Sequence, residues 1–316
     1  TGDGAGVYHN LAAMPLVGGT HAMIFGSLSA IRLDYLRDTP NPIDGQPYPL
    51  AEVFVPKPNF AFGVVTDATL RDFRFGIGAS LPIIDGASWK REYGGKPAST
   101  RYYALDARLA QFLIEPAVAY RINRYISIGV GLDIVGVLLS HEVMTDFGAK
   151  VNHMACALNP AAPCPLDAPL PREDPTYDGL TTIEGMGWGV GAFGGVLVTP
   201  APWIRIGVGF HSGAGGVKIP VDLGVEIPAA VTDYVGSNLP SVTLPPLTAE
   251  GEVTAHSPMS VTAGVAVYPT ERLEIAADLH WMDYSETAVL MGIVTRADEL
   301  GLIGTQVLIK DRTDYY

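Results

Sequence analysis

The sequence predicts an all-β protein, a transmembrane antiparallel β-barrel, on three observations. Only 17% of its 316 residues are charged and 48% are apolar, whereas an ordinary soluble domain has about 25% charged residues. No apolar helix long enough to cross a bilayer is predicted, since a span needs roughly 20 apolar residues. Segments of about ten residues instead alternate large apolar side chains with small or polar ones. Because lipid satisfies no backbone hydrogen bonds, strands that cross a membrane must close into a barrel.

The charge-free stretch 185–204 shows why a helix is rejected. It holds six glycines and two prolines, which would break or loosen a helix. Its large residues Met186, Trp188 and Val190 fall at alternate positions, the period of a strand. The spacing Gly189-x-Gly191-x-x-Gly194 matches a dinucleotide motif, but that motif needs a strand before it and a helix after it. Residues 185–204 are therefore predicted to form a glycine-lined strand.

Several further segments place large apolar residues on one face and mostly glycine, serine or scattered charges on the other. A soluble β-sandwich is the alternative, but its polar face would usually carry Lys, Glu and Thr. A small, sparsely charged face favours a barrel with lipid outside and a crowded, partly polar lumen. The net charge of −13 argues against nucleic-acid binding. The segments are 73–81, 125–139, 203–211, 261–267 and 273–281.

The connections between these strands are short on one side and long on the other, as in outer-membrane barrels. Short turns are predicted at 123–124, 199–202 and 268–272, and long extracellular loops at about 84–101, 142–182 and 212–254. The second long loop contains both cysteines, Cys156 and Cys164. In a proline-rich loop of an exported protein the two thiols favour a disulfide. A metal site is the alternative interpretation.

Three arginines, Arg74, Arg108 and Arg205, are predicted to point into the lumen. Each could bind a carboxylate head group through bidentate hydrogen bonds. Arginines in a lumen more often pair with lumen acids, and the sequence leaves both roles open. Ser260, Asp278 and His280 could form a hydrolytic group, but polar pairs are common in a lumen, so no enzyme activity, cofactor or metal is predicted. The predicted lumen acids are Asp106, Glu115, Asp133, Glu274 and Asp278.

Three segments resemble the FadL family of outer-membrane transporters for long-chain fatty acids and other hydrophobic compounds. Residues 7–14, VYHNLAAM, resemble the family's aromatic-x-Asn-Pro-Ala-Gly/Ala-Leu segment, with Leu11 in place of the proline. Residues 114–132 and 257–285 are similar to two family hairpins, in the family's order. The resemblance implies a 14-stranded barrel in a Gram-negative outer membrane. Residues 1–19 would be the remnant of a hatch in the lumen, and residues 20–316 would supply about ten strands of a barrel that looks incomplete at its C-terminus.

The resemblance also implies passive uptake of a fatty acid-like hydrophobic molecule. Extracellular loops would capture the ligand, the lumen would bind it, and a gap in the wall would release it sideways. Tyr8, Asn10 and Met14 would then belong to the hatch along the transport path. The alternative function is a structural or partner-binding subunit of an outer-membrane assembly. The expected partners are the ligand, outer-membrane lipid and possible protein subunits.

Overall fold

The computed structural model describes residues 6–158, 169–239, 247–283, 285, 289–297 and 306–311. Helices α1–α3 span Gly6–His9, Phe147–Leu158 and Ala229–Asn238, and 3₁₀ helices span Leu11–Leu16, Ser99–Tyr102 and Pro175–Tyr177. The strands are β1 (Thr20–Tyr35), β2 (Ala51–Thr66), β3 (Phe73–Ser88), β4 (Glu92–Tyr93), β5 (Lys96–Pro97), β6 (Asp106–Arg121), β7 (Ile126–Asp146), β8 (Asp178–Ala201), β9 (Ile204–His211), β10 (Val217–Val225), β11 (Leu247–Ala255), β12 (Met259–Thr270), β13 (Leu273–Asp283), β14 (Val289–Ala297) and β15 (Gln306–Asp311). No helix in the described ranges is long and apolar enough to span a membrane.

A single large antiparallel sheet of thirteen strands dominates the described part of the chain. Its first strands pair in the order β1-β2-β3-β6-β7-β8. At β8 the sheet divides: the first half of this strand pairs with β10, and the second half pairs with β9. The β10 branch continues through β11, β14 and β15, and the β9 branch continues through β12 and β13. Each strand of one branch is next in the chain to a strand of the other branch, so the two branches are two halves of the same wall. The consecutive strands are β9 and β10, β11 and β12, and β13 and β14.

The alternation predicted from the sequence is observed, and the all-β barrel class is confirmed. On β7 the even-numbered Val130 and Leu132 are 59% and 49% exposed, whereas Ser127 and Asp133 are buried. On β8 the same outward face carries Met186, Trp188 and Val190. These large apolar residues form the surface that lipid covers, and the small residues between them face inward.

The long connections are shorter than predicted, because the strand ladders continue past the apolar band. β7 and β8 remain paired up to Asp146 and Asp178, so the predicted loop 142–182 is reduced to residues 147–177. β3 extends to Ser88, inside the predicted loop 84–101. The predicted loop 212–254 contains β10, α3 and most of β11. The strands therefore continue through residues where the sequence analysis expected loops.

Two ion pairs, one of them fully buried, fasten the long connections to one another. Arg101, 2% exposed, donates from Nε to Asp178 Oδ2 over 2.7 Å, and Tyr102 donates to the other oxygen of Asp178 over 2.6 Å. Arg37 donates to both carboxylate oxygens of Glu173 over 2.9 Å. Burial raises the pKa of the Glu173 carboxyl, but hydrogen bonds from Arg37 and Tyr48 outweigh burial and hold that pKa below its usual value. The loops therefore form a cross-linked layer.

A charge on the outward face should destabilise the protein in a depth-dependent way. We expect Val130→Arg to lower the free energy of unfolding in lipid vesicles by about 2–4 kcal/mol, as at other bilayer-midplane sites. Ile122→Arg, at the rim with the short turns, should cost only about 0–1 kcal/mol. Urea titration of both variants in vesicles measures the difference, and equal costs would contradict the assignment of this face to lipid.

Candidate functional site

The N-terminal segment, defined here as residues 6–17, packs on the inner face of the sheet. Val7, Leu11 and Met14 are each at most 1% exposed. They pack in one apolar cluster with side chains of the wall, Val65, Ala119 and Phe193. The segment therefore shares a hydrophobic core with β2, β6 and β8.

Glycines on the inner face of the wall make room for this segment. A Cβ added at Gly76 would lie 2.9 Å from Met14 Sδ, and one at Gly78 would lie 3.0 Å from Tyr8 Oη. A Cβ at Gly129 would lie 2.7 Å from the carbonyl carbon of Leu11. Contacts this short force a neighbour to move, so the wall needs glycine here. We call Gly76, Gly78, Gly129, Gly195 and Gly207 the glycine track; the last two lie against Asn10.

Tyr8 and Asn10 attach the segment to backbone groups of the strands. Tyr8 Oη accepts a hydrogen bond from Ala79 N over 2.8 Å and also lies against the carbonyl oxygens of Ala79 and Phe62. Ala79 and Phe62 are partners across β3 and β2, so the hydroxyl is inserted into that ladder. Asn10 Nδ2 donates to the Val196 carbonyl of β8 over 3.3 Å.

Arg74 points inward as predicted, but its guanidinium donates its hydrogen bonds to backbone carbonyl oxygens. The Nε atom donates to Val17 O over 2.7 Å, and one terminal nitrogen donates to Phe73 O over 2.6 Å and to Leu70 O over 3.2 Å. Arg74 is 4% exposed. It therefore fastens the end of the N-terminal segment to the β2–β3 turn.

A cavity of about 1100 Å³ lies beside the N-terminal segment, enclosed by the curve of the sheet. Tyr8 and Asn10 line it, whereas Met14 is fully buried beneath it. Much of its wall is apolar, including Leu109, Leu113, Val135, Val137 and Leu197. An apolar cavity of this kind is suited to a hydrophobic ligand.

The charged residues of the cavity lining are mostly acidic. Among its described lining residues, Arg205 is the only arginine or lysine. Its guanidinium lies 4.8 Å from the ring centre of Tyr268 and donates to the Tyr268 hydroxyl over 3.0 Å. The Nε atom of Arg205 is buried and has no hydrogen-bond partner in the described structure, so its N–H is left to donate a hydrogen bond to a ligand oxygen. The lining carboxylates are Glu115, Asp133, Glu274 and Asp278.

The predicted inward orientation of Arg108 is wrong. On β6 the odd-numbered residues 109, 111, 113 and 115 line the cavity, and strand alternation places residue 108 on the opposite face. The Arg108 side chain is 65% exposed and pairs with Asp106 over 2.9 Å. It borders a shallow pocket near the loops. Sequence analysis identified the strand but not which of its two faces lines the lumen.

The predicted disulfide stays a prediction. Cys156 lies in α2, in the long connection between β7 and β8, and Cys164 lies outside the described residues.

The pairing between β2 and β3 covers only part of their length. Residues 61–66 of β2 pair with residues 75–80 of β3, and in the described structure no ladder joins the remainder of the two strands. Residues two apart on a strand turn their backbone groups towards the same neighbouring strand, so Pro56 and Pro58 present theirs to the same side as Phe62. Both prolines lack the backbone N–H that a hydrogen-bonded ladder needs. On its other edge β3 carries an irregularity between Ser80 and Ile83, around Pro82. We call this unpaired stretch the β2–β3 seam. It borders the cavity, because the cavity lining includes Ser80 and Pro82 of β3 together with Tyr8.

The chain is similar to known proteins in both its sequence and its fold. Residues 58–315 match the sequence pattern of the outer membrane protein transport proteins (OMPP1/FadL/TodX). The chain belongs to this family. Family members are transport channels for hydrophobic compounds in the Gram-negative outer membrane, not enzymes. No curated protein sequence is significantly similar to the chain.

Solved structures agree with the family fold at low sequence identity. A FadL homologue of Pseudomonas aeruginosa is 15% identical with a TM-score of 0.71, covering 94% of this chain and 68% of its own. The Pseudomonas putida toluene transporter TodX is 16% identical with a TM-score of 0.60, covering 92% of this chain and 68% of its own.

Ser260, Asp278 and His280, the residues considered as a hydrolytic group, line the cavity. No hydrogen bond between them is found in the described structure.

Filling the glycine track should displace the N-terminal segment. We expect Gly129→Val to leave the barrel folded but to expose residues 6–17, because the new side chain overlaps the backbone of Leu11. Hydrogen exchange of these residues should accelerate at least tenfold, and conductance in planar bilayers should rise. Gly26→Val is the matched control, since a Cβ there meets nothing closer than 3.9 Å. Unchanged exchange in Gly129→Val would contradict the packing.

Proposed function

We propose that the chain takes up hydrophobic small molecules by passive transfer through the cavity and releases them sideways into the membrane through the β2–β3 seam. One observation carries the proposal: the apolar cavity extends along the inner wall to the place where the β2–β3 ladder stops. Burial of each methylene contributes about 0.8 kcal/mol, so capture requires no energy source. The extracellular loop layer would supply the first contact with the ligand.

The N-terminal segment acts in this proposal as a hatch. It occupies the lumen between the cavity and the turns at 122–125 and 202–203, and Tyr8 contacts Phe62 and Ala79, one rung before the ladder ends at the seam. A molecule in the cavity is therefore beside the seam, whereas a path straight through the lumen is blocked by the segment. Lateral release needs less rearrangement than removal of residues 6–17 from the glycine track.

Closing the seam should stop uptake. Phe60 and Leu81 are the residues that the observed register would pair next. We expect Phe60→Cys/Leu81→Cys, joined by a short thiol cross-linker, to lower uptake of a fluorescent fatty acid into cells at least tenfold. Val64→Cys/Ile77→Cys lies within the existing ladder and should transport normally after the same treatment, as should the cross-linker-treated parent chain.

Normal uptake through a cross-linked seam would rule out lateral release and favour transfer through a displaced hatch. The alternative function, a structural or partner-binding subunit, predicts that neither cross-link affects uptake and that the variant barrels assemble normally.

Two ligand classes fit the cavity in this proposal, long-chain fatty acids and neutral hydrocarbons. A fatty acid would place its carboxylate at Arg205, whose Nε has no partner. The four lining carboxylates repel an anion elsewhere in the cavity. TodX is named as a toluene transporter and monoaromatic hydrocarbon channel, which is the precedent for a neutral ligand.

Replacing Arg205 separates the two classes. Hydrogen bonds to charged groups are worth about 1.5–3 kcal/mol, so Arg205→Gln should weaken binding of a long-chain fatty acid roughly 10- to 100-fold. Binding of toluene should be unchanged. Arg108→Gln, outside the cavity, should affect neither ligand. Titration calorimetry in detergent measures all three proteins, and unchanged fatty-acid affinity in Arg205→Gln would place the carboxylate elsewhere.

A further inference from the structure

Three side chains to which the proposed transport assigns no contact with the ligand meet on the lumen wall. Glu115 on β6, Asp133 on β7 and His211 on β9 each offer one ligand atom, and these atoms lie within 4.8 Å of one another. His211 Nδ1 is 3.3 Å from Asp133 Oδ2. The imidazole ring stacks on Phe193 with ring centres 4.8 Å apart, which fixes its plane.

The two carboxylates are buried without enough partners. Glu115 is 3% exposed and Asp133 is 5% exposed. Glu115 Oε2 and Asp133 Oδ1 are buried oxygens with no hydrogen-bond partner. Burying a carboxylate is costly unless it is paired or coordinates a metal. Arg205, the arginine of the cavity lining, contacts Tyr268 instead, so among the described residues no arginine or lysine is paired with these two carboxylates.

We propose that Glu115, Asp133 and His211 bind one divalent transition-metal ion of the Zn²⁺ class. Magnesium and calcium favour ligand sets made of oxygen alone. Zinc binds carboxylate oxygen and imidazole nitrogen together, and with three protein ligands it keeps an open position for water or another ligand. All three residues line the cavity, so the open position faces the lumen.

Such an ion has a clear structural effect. It joins β6, β7 and β9, and thereby bridges across β8 on the inner wall. Its two positive charges balance the two buried carboxylates. This inference does not depend on the proposed transport route, because metal binding is measured on purified protein without any transport assay.

Titration calorimetry with Zn²⁺ tests the site on the full chain in detergent, purified through a tag without histidine and treated with a chelator. We expect one equivalent of Zn²⁺ per chain, with affinity at least tenfold lower in Glu115→Gln and Asp133→Asn. Asp278→Asn is the matched control, a cavity carboxylate outside the cluster, and should bind as the parent does. Excess Mg²⁺ should not compete. Absence of stoichiometric binding, or parent-like binding by Glu115→Gln, would overturn the proposal.

A second measurement needs no variant and so holds even where a substitution prevents folding. X-ray absorption at the zinc edge of the loaded parent chain should show only nitrogen and oxygen ligands at about 2.0–2.2 Å. Sulfur at about 2.3 Å would assign the ion to the cysteines and would refute the lumen site.

Discussion

The contact between the N-terminal segment and the glycine track is the interaction on which the interior depends. Each strand must place large apolar residues outward, since lipid covers that face, and strand alternation leaves the neighbouring positions for the lumen. Side chains of ordinary size at Gly76, Gly78 and Gly129 would occupy the space that Val7, Tyr8, Leu11 and Met14 now fill. The glycines thus leave this part of the inner wall without side chains, and the N-terminal segment fills the space instead. On the proposed route, this separate segment moves relative to the wall.

The polar groups of the lumen divide into two kinds. Arg74, Tyr8 and Asn10 bond to backbone atoms and hold the segment in place. Arg205, Glu115 and Asp133 keep at least one buried atom without a partner. Unsatisfied buried atoms are rare in folded proteins and need a reason. Their position on the cavity supplies one, since a ligand or ion can satisfy them.

Much of the fold was predictable because strand alternation is a local property of the sequence. The outward faces of β7 and β8, the short turns and the inward position of Arg74 all follow from period two. The inward orientation predicted for Arg108 was wrong because alternation alone does not say whether the odd- or the even-numbered residues face the lumen. That is known only once the strand is placed beside its neighbours. The cluster of Glu115, Asp133 and His211 was equally invisible, since Asp133 and His211 are 78 positions apart and meet only through the curvature and register of the sheet. The β2–β3 seam left a fainter signal, the prolines at 56 and 58.

The Tyr8 hydroxyl lies against backbone atoms of both Phe62 and Ala79, so it joins the N-terminal segment to β2 and β3 at the same time. Phe62 and Ala79 face each other one rung before the β2–β3 ladder ends. On the proposed route, a change in the separation of these two strands would therefore alter how tightly the N-terminal segment is held. By reciprocity, displacement of the segment would alter the separation of the strands through the same coupling free energy.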